Sequence, residues 1–263
     1  MTAGFSGEVA EYYAKYRRGY PPQLFDALEE MFALGAGDVV LDLGCGTGQL
    51  TVPLASRVGS VIAMDPEPDM LRLARESAAL GAARNVTCVL GGDTDVPALG
   101  ALLGPGSLAM TVVGTALHWM RPDDLFPVLL PLFRARGGIA VVANGAPLWH
   151  QDTPWSRALR AALERHFGRP LRASCGTDPD DRRRYERQLE AAGYKDVREI
   201  VIEYRDELSF DQLLGGVYSA TSVELLPAPE ERTVFAARVR QALGPEDRLP
   251  ETVRVSALVG RAG

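Results

Sequence analysis

The sequence predicts an α/β protein built on an open, doubly wound, mostly parallel sheet, and three observations carry that expectation. Short, nearly continuous apolar segments recur along the chain, helical stretches separate them, and the first segment runs directly into glycines at alternate positions. Continuous apolar segments of this length suit strands covered on both faces, as in a parallel sheet. Strand, helix, strand in repeated order then implies right-handed crossovers. In such sheets ligands bind outside the carboxyl ends of the strands.

The expected strands are 39–43, 60–64, 86–90, 108–113 and 139–143, each flanked on at least one side by Gly or Asp. Between them, Pro21-Pro22 opens a helix with Leu24, Leu28 and Met31 on one face. Further helices are expected over 50–58, 69–80 and 123–134, the last presenting Leu125, Leu129 and Leu132. Two segments then interrupt the alternation. The first carries a helix around Trp155 to Phe167, a loop rich in Asp and Pro at 177–181 and a helix up to Ala192; the second separates a strand at 197–204 from the last one. That last strand alternates, with Val253, Val255, Ala257 and Val259 on one side and Thr252, Arg254, Ser256 and Leu258 on the other. The division expected is an N-terminal helical lid over 1–35, a cofactor-binding α/β core over 36–145 and a cap insertion over 146–195. The end of the sheet over 196–263 carries a helical insertion at 206–250, and the whole counts as one domain.

Composition narrows the function. The 263 residues carry 28 basic and 34 acidic side chains, a net charge of −6, with 46% apolar residues, an ordinary globular composition. The only basic run is Arg182 to Arg184, too little to neutralise phosphates, so no nucleic-acid partner is expected. No apolar run is long enough to cross a bilayer, and residues 1–18 carry Glu8, Glu11 and aromatics where a secretory signal needs an apolar stretch. No membrane partner and a cytoplasmic location are expected. Cys45, Cys88 and Cys175 form no CxxC pair, and no cluster of His and carboxylates has metal spacing, so neither disulfides nor a metal is expected.

The strongest signal is Val39-Val40-Leu41-Asp42-Leu43-Gly44-Cys45-Gly46-Thr47-Gly48. Glycine serves where backbone must turn sharply or approach a ligand closely, and a strand-to-helix turn exposes backbone N–H groups. The alternative is a turn that is merely tight. A dinucleotide fingerprint spaces its glycines G-x-G-x-x-G, whereas these read G-x-G-x-G behind Asp42, whose charge repels phosphates. A zwitterionic ligand with an amino group matches better. Asp65, at the end of the second strand, is placed to accept hydrogen bonds from ribose hydroxyls, or else serves as a turn or N-cap residue before Pro66. Gly91-Gly92-Asp93-Thr94 follows the third strand, where Asp93 either accepts from an exocyclic amine or closes a turn.

These residues resemble the class I S-adenosylmethionine-dependent methyltransferases. Residues 40–48 are similar to that family's first motif, Asp65 to its ribose-binding acid, and Gly92-Asp93 with Pro97 to its adenine-binding loop. The resemblance covers roughly residues 5–145 and implies a Rossmann-like sheet of seven strands with the last antiparallel. It implies S-adenosyl-L-methionine as cofactor, held by Asp42, Gly44, Cys45, Gly46, Gly48, Asp65, Pro66, Met70, Asp93, Thr94 and Gly114. Residues 12–22, with Tyr16-Arg17 and Gly19-Tyr20-Pro21, and Leu117-His118-Trp119 are similar to a small-molecule branch that includes trans-aconitate methyltransferase-like proteins. That branch often has Phe-Asp after His-Trp; this chain has Met120-Arg121.

Methyl transfer from a sulfonium is an in-line displacement in which positioning supplies much of the acceleration, up to about 7–11 kcal/mol in well-oriented systems. A base is needed mainly for hydroxyl, phenol or weakly acidic carbon acceptors. His118 is the candidate base, or a ring that bonds backbone and shapes the pocket. Trp119 is an apolar wall, with a ring face available to the sulfonium. Trp149-His150 either reaches the same mouth or lies in a surface loop, and His166 reads as a packed histidine. Tyr12, Tyr13, Tyr16 and Tyr20, with Arg17, form either a lid over cofactor and acceptor or aromatics packed on the sheet edge; Arg17 pairs with an acceptor carboxylate or is solvated. The expected partner is thus a small-molecule methyl acceptor, with the protein a monomer or homodimer. The alternatives carried are a nicotinamide-dependent oxidoreductase and a non-methylating protein that binds S-adenosylmethionine.

Overall fold

The structure, a computed structural model, describes residues 4–171 and 176–263; Cys175 lies outside them. In chain order the elements are α1 (Glu8–Tyr16), α2 (Pro22–Phe32), β1 (Val39–Leu43), α3 (Thr51–Ala55), β2 (Ser60–Asp65), α4 (Pro68–Leu80), β3 (Val86–Leu90), α5 (Val96–Leu103), β4 (Leu108–Gly114) and α6 (Pro122–Leu129). After them come β5 (Phe133–Asn144), α7 (Pro154–Phe167), α8 (Pro179–Ala192), β6 (Lys195–Ser209), α9 (Phe210–Tyr218), α10 (Arg232–Leu243) and β7 (Arg248–Arg261).

The strands form one seven-stranded sheet in the order β3-β2-β1-β4-β5-β7-β6. β1 runs parallel to β2 and β4, β2 to β3, and β4 to β5, while β7 is antiparallel to β5 from Gly138↔Arg261 to Asn144↔Val255. The strand order reverses between β1 and β4, and a ligand-binding crevice opens at such a switch point. Burial explains the two strand types. β4 is buried on both faces over 108–113, whereas β7 alternates until Val255 and then is buried on both faces through Gly260, where β5 lies beside it.

The expected elements recur with instructive differences. The helix expected over 123–134 ends at Leu129, a 3-10 turn with Pro131 follows, and Phe133 and Arg134 already belong to β5. Proline cannot continue the hydrogen-bond ladder, and Arg134 has another task. Its guanidinium donates from Nε to Asp38 Oδ1 at 2.6 Å and from Nη2 to Asp38 Oδ2 at 2.8 Å, and also to the carbonyls of Phe32 and Ala33. It thereby ties the end of α2 and the approach to β1 to the start of β5. The helix expected over 50–58 is shorter, and the Asp-rich segment at 177–181 is partly helical: the Asp178 carboxylate accepts from Asp180 N at 2.8 Å and Pro179 takes the first helical position. α5 follows a 3-10 turn and was not among the expected helices.

The chain divides into two compact units. The larger comprises Arg18–Asn144, Cys175–Ile202 and Val255–Gly263; the smaller comprises Met1–Arg17, Gly145–Ser174 and Glu203–Arg254. The segment 146–195, expected as one cap, is therefore split, with α8 in the larger unit. The core of the larger unit includes Leu41, Leu43, Met64, Phe126 and Tyr185. The smaller unit has its own core of Trp155, Leu159, Leu163, Leu213, Val217, Tyr218 and Phe235, fastened by the Trp155 indole N–H donating to the Pro250 carbonyl at 2.8 Å. His166, expected to be packed, is exposed, with its ring 4.7 Å from that of Phe235.

Gly138 stands where β5 meets β7. A Cβ there would run into the Gly260 carbonyl oxygen, with Arg261 Cα and Phe32 Cε1 each 2.9 Å away. Gly138→Ala should lower unfolding stability by at least ~2 kcal/mol, because backbone cannot yield as a side chain does. Chemical denaturation followed by circular dichroism checks this; an unchanged midpoint would contradict the pairing.

Candidate active site

The site is built from the carboxyl ends of β1 to β5 in the larger unit. Gly44, Gly46 and Gly48 have φ of 72°, 54° and 92°, a region that costs glycine little and other residues much. The turn they make is clipped to β2: Gly44 N and Cys45 N both donate to the Met64 carbonyl, at 2.8 and 3.0 Å, and Gly46 N donates to Asp65 Oδ2 at 2.8 Å. Gly48 N closes back on the Cys45 carbonyl at 3.0 Å. These four N–H groups are committed within the protein. The turn therefore does not expose these N–H groups to a ligand, as its sequence suggests; the glycines supply curvature and close approach. A diphosphate cradle needs free N–H groups.

Close approach is measurable at Gly44. A Cβ there would lie 2.6 Å from Ala116 Cβ and 3.2 Å from Met120 Cε, so the turn after β1 is pressed against the segment after β4. That segment begins at Gly114, where an added Cβ would meet the Tyr20 hydroxyl at 2.9 Å, and continues through Thr115, held at φ 51°. A β-branched residue in the left-handed region stores about 1–3 kcal/mol of strain. The Arg121 N–H donates to Asp93 Oδ2 at 3.0 Å, joining the same segment to the loop after β3. It is Asp95, not Asp93, that closes the Gly92 turn, accepting from Gly92 N at 2.9 Å.

Two carboxyl groups sit at the centre. Asp42 is buried; its Oδ2 accepts from the Thr51 hydroxyl at 2.5 Å and its Oδ1 has no partner. Burial above all pushes its pKa up to about 7, and the Asp65 charge adds to the rise. Asp65 accepts from Gly46 N and, at 2.9 Å, from Glu67 N, and burial raises its pKa despite both bonds. Such a pair favours a cation and disfavours an anion.

His118 lies in the 3-10 turn Leu117–Trp119, its ring 4.8 Å from that of Trp119. Burial lowers its pKa to about 4, opposed by the charge of Asp181, so the imidazole is neutral at neutral pH. Its Nδ1 is buried without a partner, as are Asp42 Oδ1, Thr47 Oγ1 and Asn144 Oδ1. Buried polar atoms are ordinarily paired, and four left over at the ends of β1, β4 and β5 are the groups a bound polar ligand would satisfy. Thr47, Thr51 and Asn144 were not singled out in the sequence; a polar residue ending an apolar strand, as Asn144 does, is the signal available for it.

The other expected residues divide. Cys45 and Met70 are buried in the core, and burial holds the Cys45 thiol above its ordinary pKa; Pro66, Thr94 and, with 62% of its surface accessible, Trp119 are exposed. Tyr12, Tyr16, Arg17 and Trp149 belong to the smaller unit. There Tyr12 packs 5.0 Å from the Tyr218 ring, the Tyr16 ring presses on Gly215, and the Arg17 guanidinium lies 5.0 Å from the Tyr13 ring. Among the described residues no three His, Cys, Asp or Glu side chains gather as a metal site, and no helix is long and apolar enough to cross a membrane.

The sheet is thus of the open α/β class with its strand order reversing between β1 and β4, and the turn after β1 leaves these four N–H groups no freedom to cradle a diphosphate. Residues 40–135 match the methyltransferase-domain family. An uncharacterized methyltransferase of Mycobacterium tuberculosis is 29% identical over 243 residues, 92% of this chain and 86% of that protein. One from Schizosaccharomyces pombe is 23% identical, covering 88% and 84%. A structure from Anaeromyxobacter dehalogenans described as a type II methyltransferase superposes with a TM-score of 0.62 at 22% identity, covering 94% of this chain and 98% of that one. Residues 40–135 are thus similar to a methyltransferase domain, and the proteins similar over most of the chain are described as methyltransferases.

The buried acid dictates a pH dependence. A carboxyl whose folded pKa lies above its unfolded value binds its proton more tightly when folded, so its contribution is present at pH 4 and lost as pH rises through about 7. Asp42→Asn should therefore be more stable relative to wild type at pH 8 than at pH 5. Denaturation midpoints at the two pH values check this, and an equal offset at both would show Asp42 ionising normally.

Proposed function

We propose that the enzyme methylates a small molecule, with Asp42, Asp65 and the Gly44–Gly48 turn holding S-adenosylmethionine and His118 accepting the acceptor's proton. The observation that carries this reading is that the segment carrying His118, whose Nδ1 is buried and unpartnered, is pressed through Ala116 and Met120 against Gly44 of the β1 turn. The fit to the cofactor rests on two buried acids that favour its positive charge, one of them with an unpartnered oxygen, Asp42 Oδ1. When bound, the cofactor supplies a methyl already activated by the sulfonium. The protein's own work is then positioning and proton handling. The net charge of −6 gives a polyanionic acceptor no electrostatic foothold, which favours a small molecule.

An imidazole with a pKa near 4 is a weak base, so His118 first accepts a hydrogen bond from the acceptor's O–H or N–H, orienting the lone pair for attack. The imidazole would take up that proton as the acceptor gains the methyl, which the cofactor's sulfonium would release by breaking its S–CH3 bond and leaving as the neutral thioether. Asp181, whose charge already favours the protonated ring, stabilises the imidazolium. Water reloads the neutral form.

Transfer of labelled methyl from the cofactor to one of a panel of hydroxyl, phenol and carboxylate acceptors tests the reading, and label that never leaves the cofactor refutes it. His118→Ala should reduce kcat by roughly 10²–10⁴ for a hydroxyl or phenol acceptor. At saturating cofactor, kcat should be flat from pH 8 to 5 and fall with an apparent pKa of about 4. A limb near 6.5 would place His118 in water.

A further inference from the structure

The smaller unit contains a cavity of about 610 Å³ to which the methyl-transfer reading assigns nothing. Its size falls within the range of small-molecule sites, about 300–1,000 Å³. Leu163 and Phe167 of α7 and Val217 of α9 supply apolar wall, and the polar residues at it are unevenly employed. The Thr221 hydroxyl already donates to the Val217 carbonyl at 2.8 Å. Trp149, however, lines the cavity with its indole Nε1 buried and unpartnered. Arg169 lines it too, exposed, and among the described residues no carboxylate pairs with it. Among the described residues the combination is an apolar chamber with one unmet N–H donor and one unpaired cation.

We infer that this cavity is a binding site for an apolar monocarboxylate, a hydrocarbon body carrying one carboxylate. The body lies against Leu163, Phe167 and Val217. The carboxylate satisfies the Arg169 guanidinium and the Trp149 N–H, which are donors only and so select an anion over a hydroxyl. An apolar body with no acceptor would leave the buried indole N–H unmet, and among the described lining residues a dianion would find only Arg169 as a cation. Every residue invoked belongs to the smaller unit, so the inference stands independently of the methyl-transfer reading.

The test uses the full chain without cofactor. Calorimetric titration with sodium octanoate should show saturable one-to-one binding, and 1-octanol should bind about tenfold or more weakly, the worth of a charge-assisted bond. Arg169 is exposed, so Arg169→Ala should leave the fold intact while bringing octanoate down to the affinity of octanol. In a ¹⁵N spectrum of the three indoles, identified with Trp149→Phe, the Trp149 resonance should move most on adding octanoate. Absence of saturable octanoate binding overturns the inference. So does equal affinity for the two probes, an Arg169→Ala variant that binds as wild type, or a response confined to Trp119 or Trp155.

Discussion

The fastening of the β1 turn onto the end of β2 is the constraint on which the site depends. Three N–H groups of that turn end on Met64 and Asp65, and Asp65 spends its other oxygen on Glu67 N at the entry to α4. The Asp65 carboxylate thus fixes where the glycine turn lies and where α4 begins, and its backbone carbonyl, accepting from the Gly91 N–H at 3.1 Å, fixes where the chain leaves β3. Because Gly44 is pressed against Ala116, the segment carrying His118 is located by the same turn. A ligand entering there meets a preformed rim rather than a loop it must order.

That arrangement carries an electrostatic cost which has a use. Asp42 and Asp65 are both buried and both shifted upward, so the rim is short of positive charge. A cationic cofactor relieves that shortage, whereas a diphosphate would add to it and would find the N–H groups already taken. The spacing of the glycines and the hydrogen bonds of the turn disfavour a nicotinamide cofactor on separate grounds, one of register and one of donor supply.

The smaller unit is a different kind of structure. Its core draws on α1, α7, α9 and α10, segments far apart in sequence, with Tyr12 packed near Tyr218 and the Arg232 guanidinium reaching the Tyr12 hydroxyl at 3.3 Å. The tyrosines near the N-terminus therefore have a packing role of their own. Tyr20, by contrast, belongs to the larger unit and reaches Gly114.

By itself the sequence determined the sheet and its ligand-bearing turn, because those signals are local. Apolar runs such as 108–113 and the alternation of 252–259 are read within a few residues, and a glycine forced to positive φ leaves its mark in the letters. The tertiary structure decided whatever depends on partners distant in the chain. Leu129 to Arg134 reads as helix until Asp38, 96 residues away, claims Arg134 for β5. The turn's N–H groups look free until Met64 and Asp65 take them. His118 looks like a base of ordinary strength until burial lowers its pKa to about 4, and Asn144 attracts no notice until its Oδ1 is left alone. Burial and hydrogen-bond supply are properties of neighbours, and neighbours are assigned only when the chain is folded.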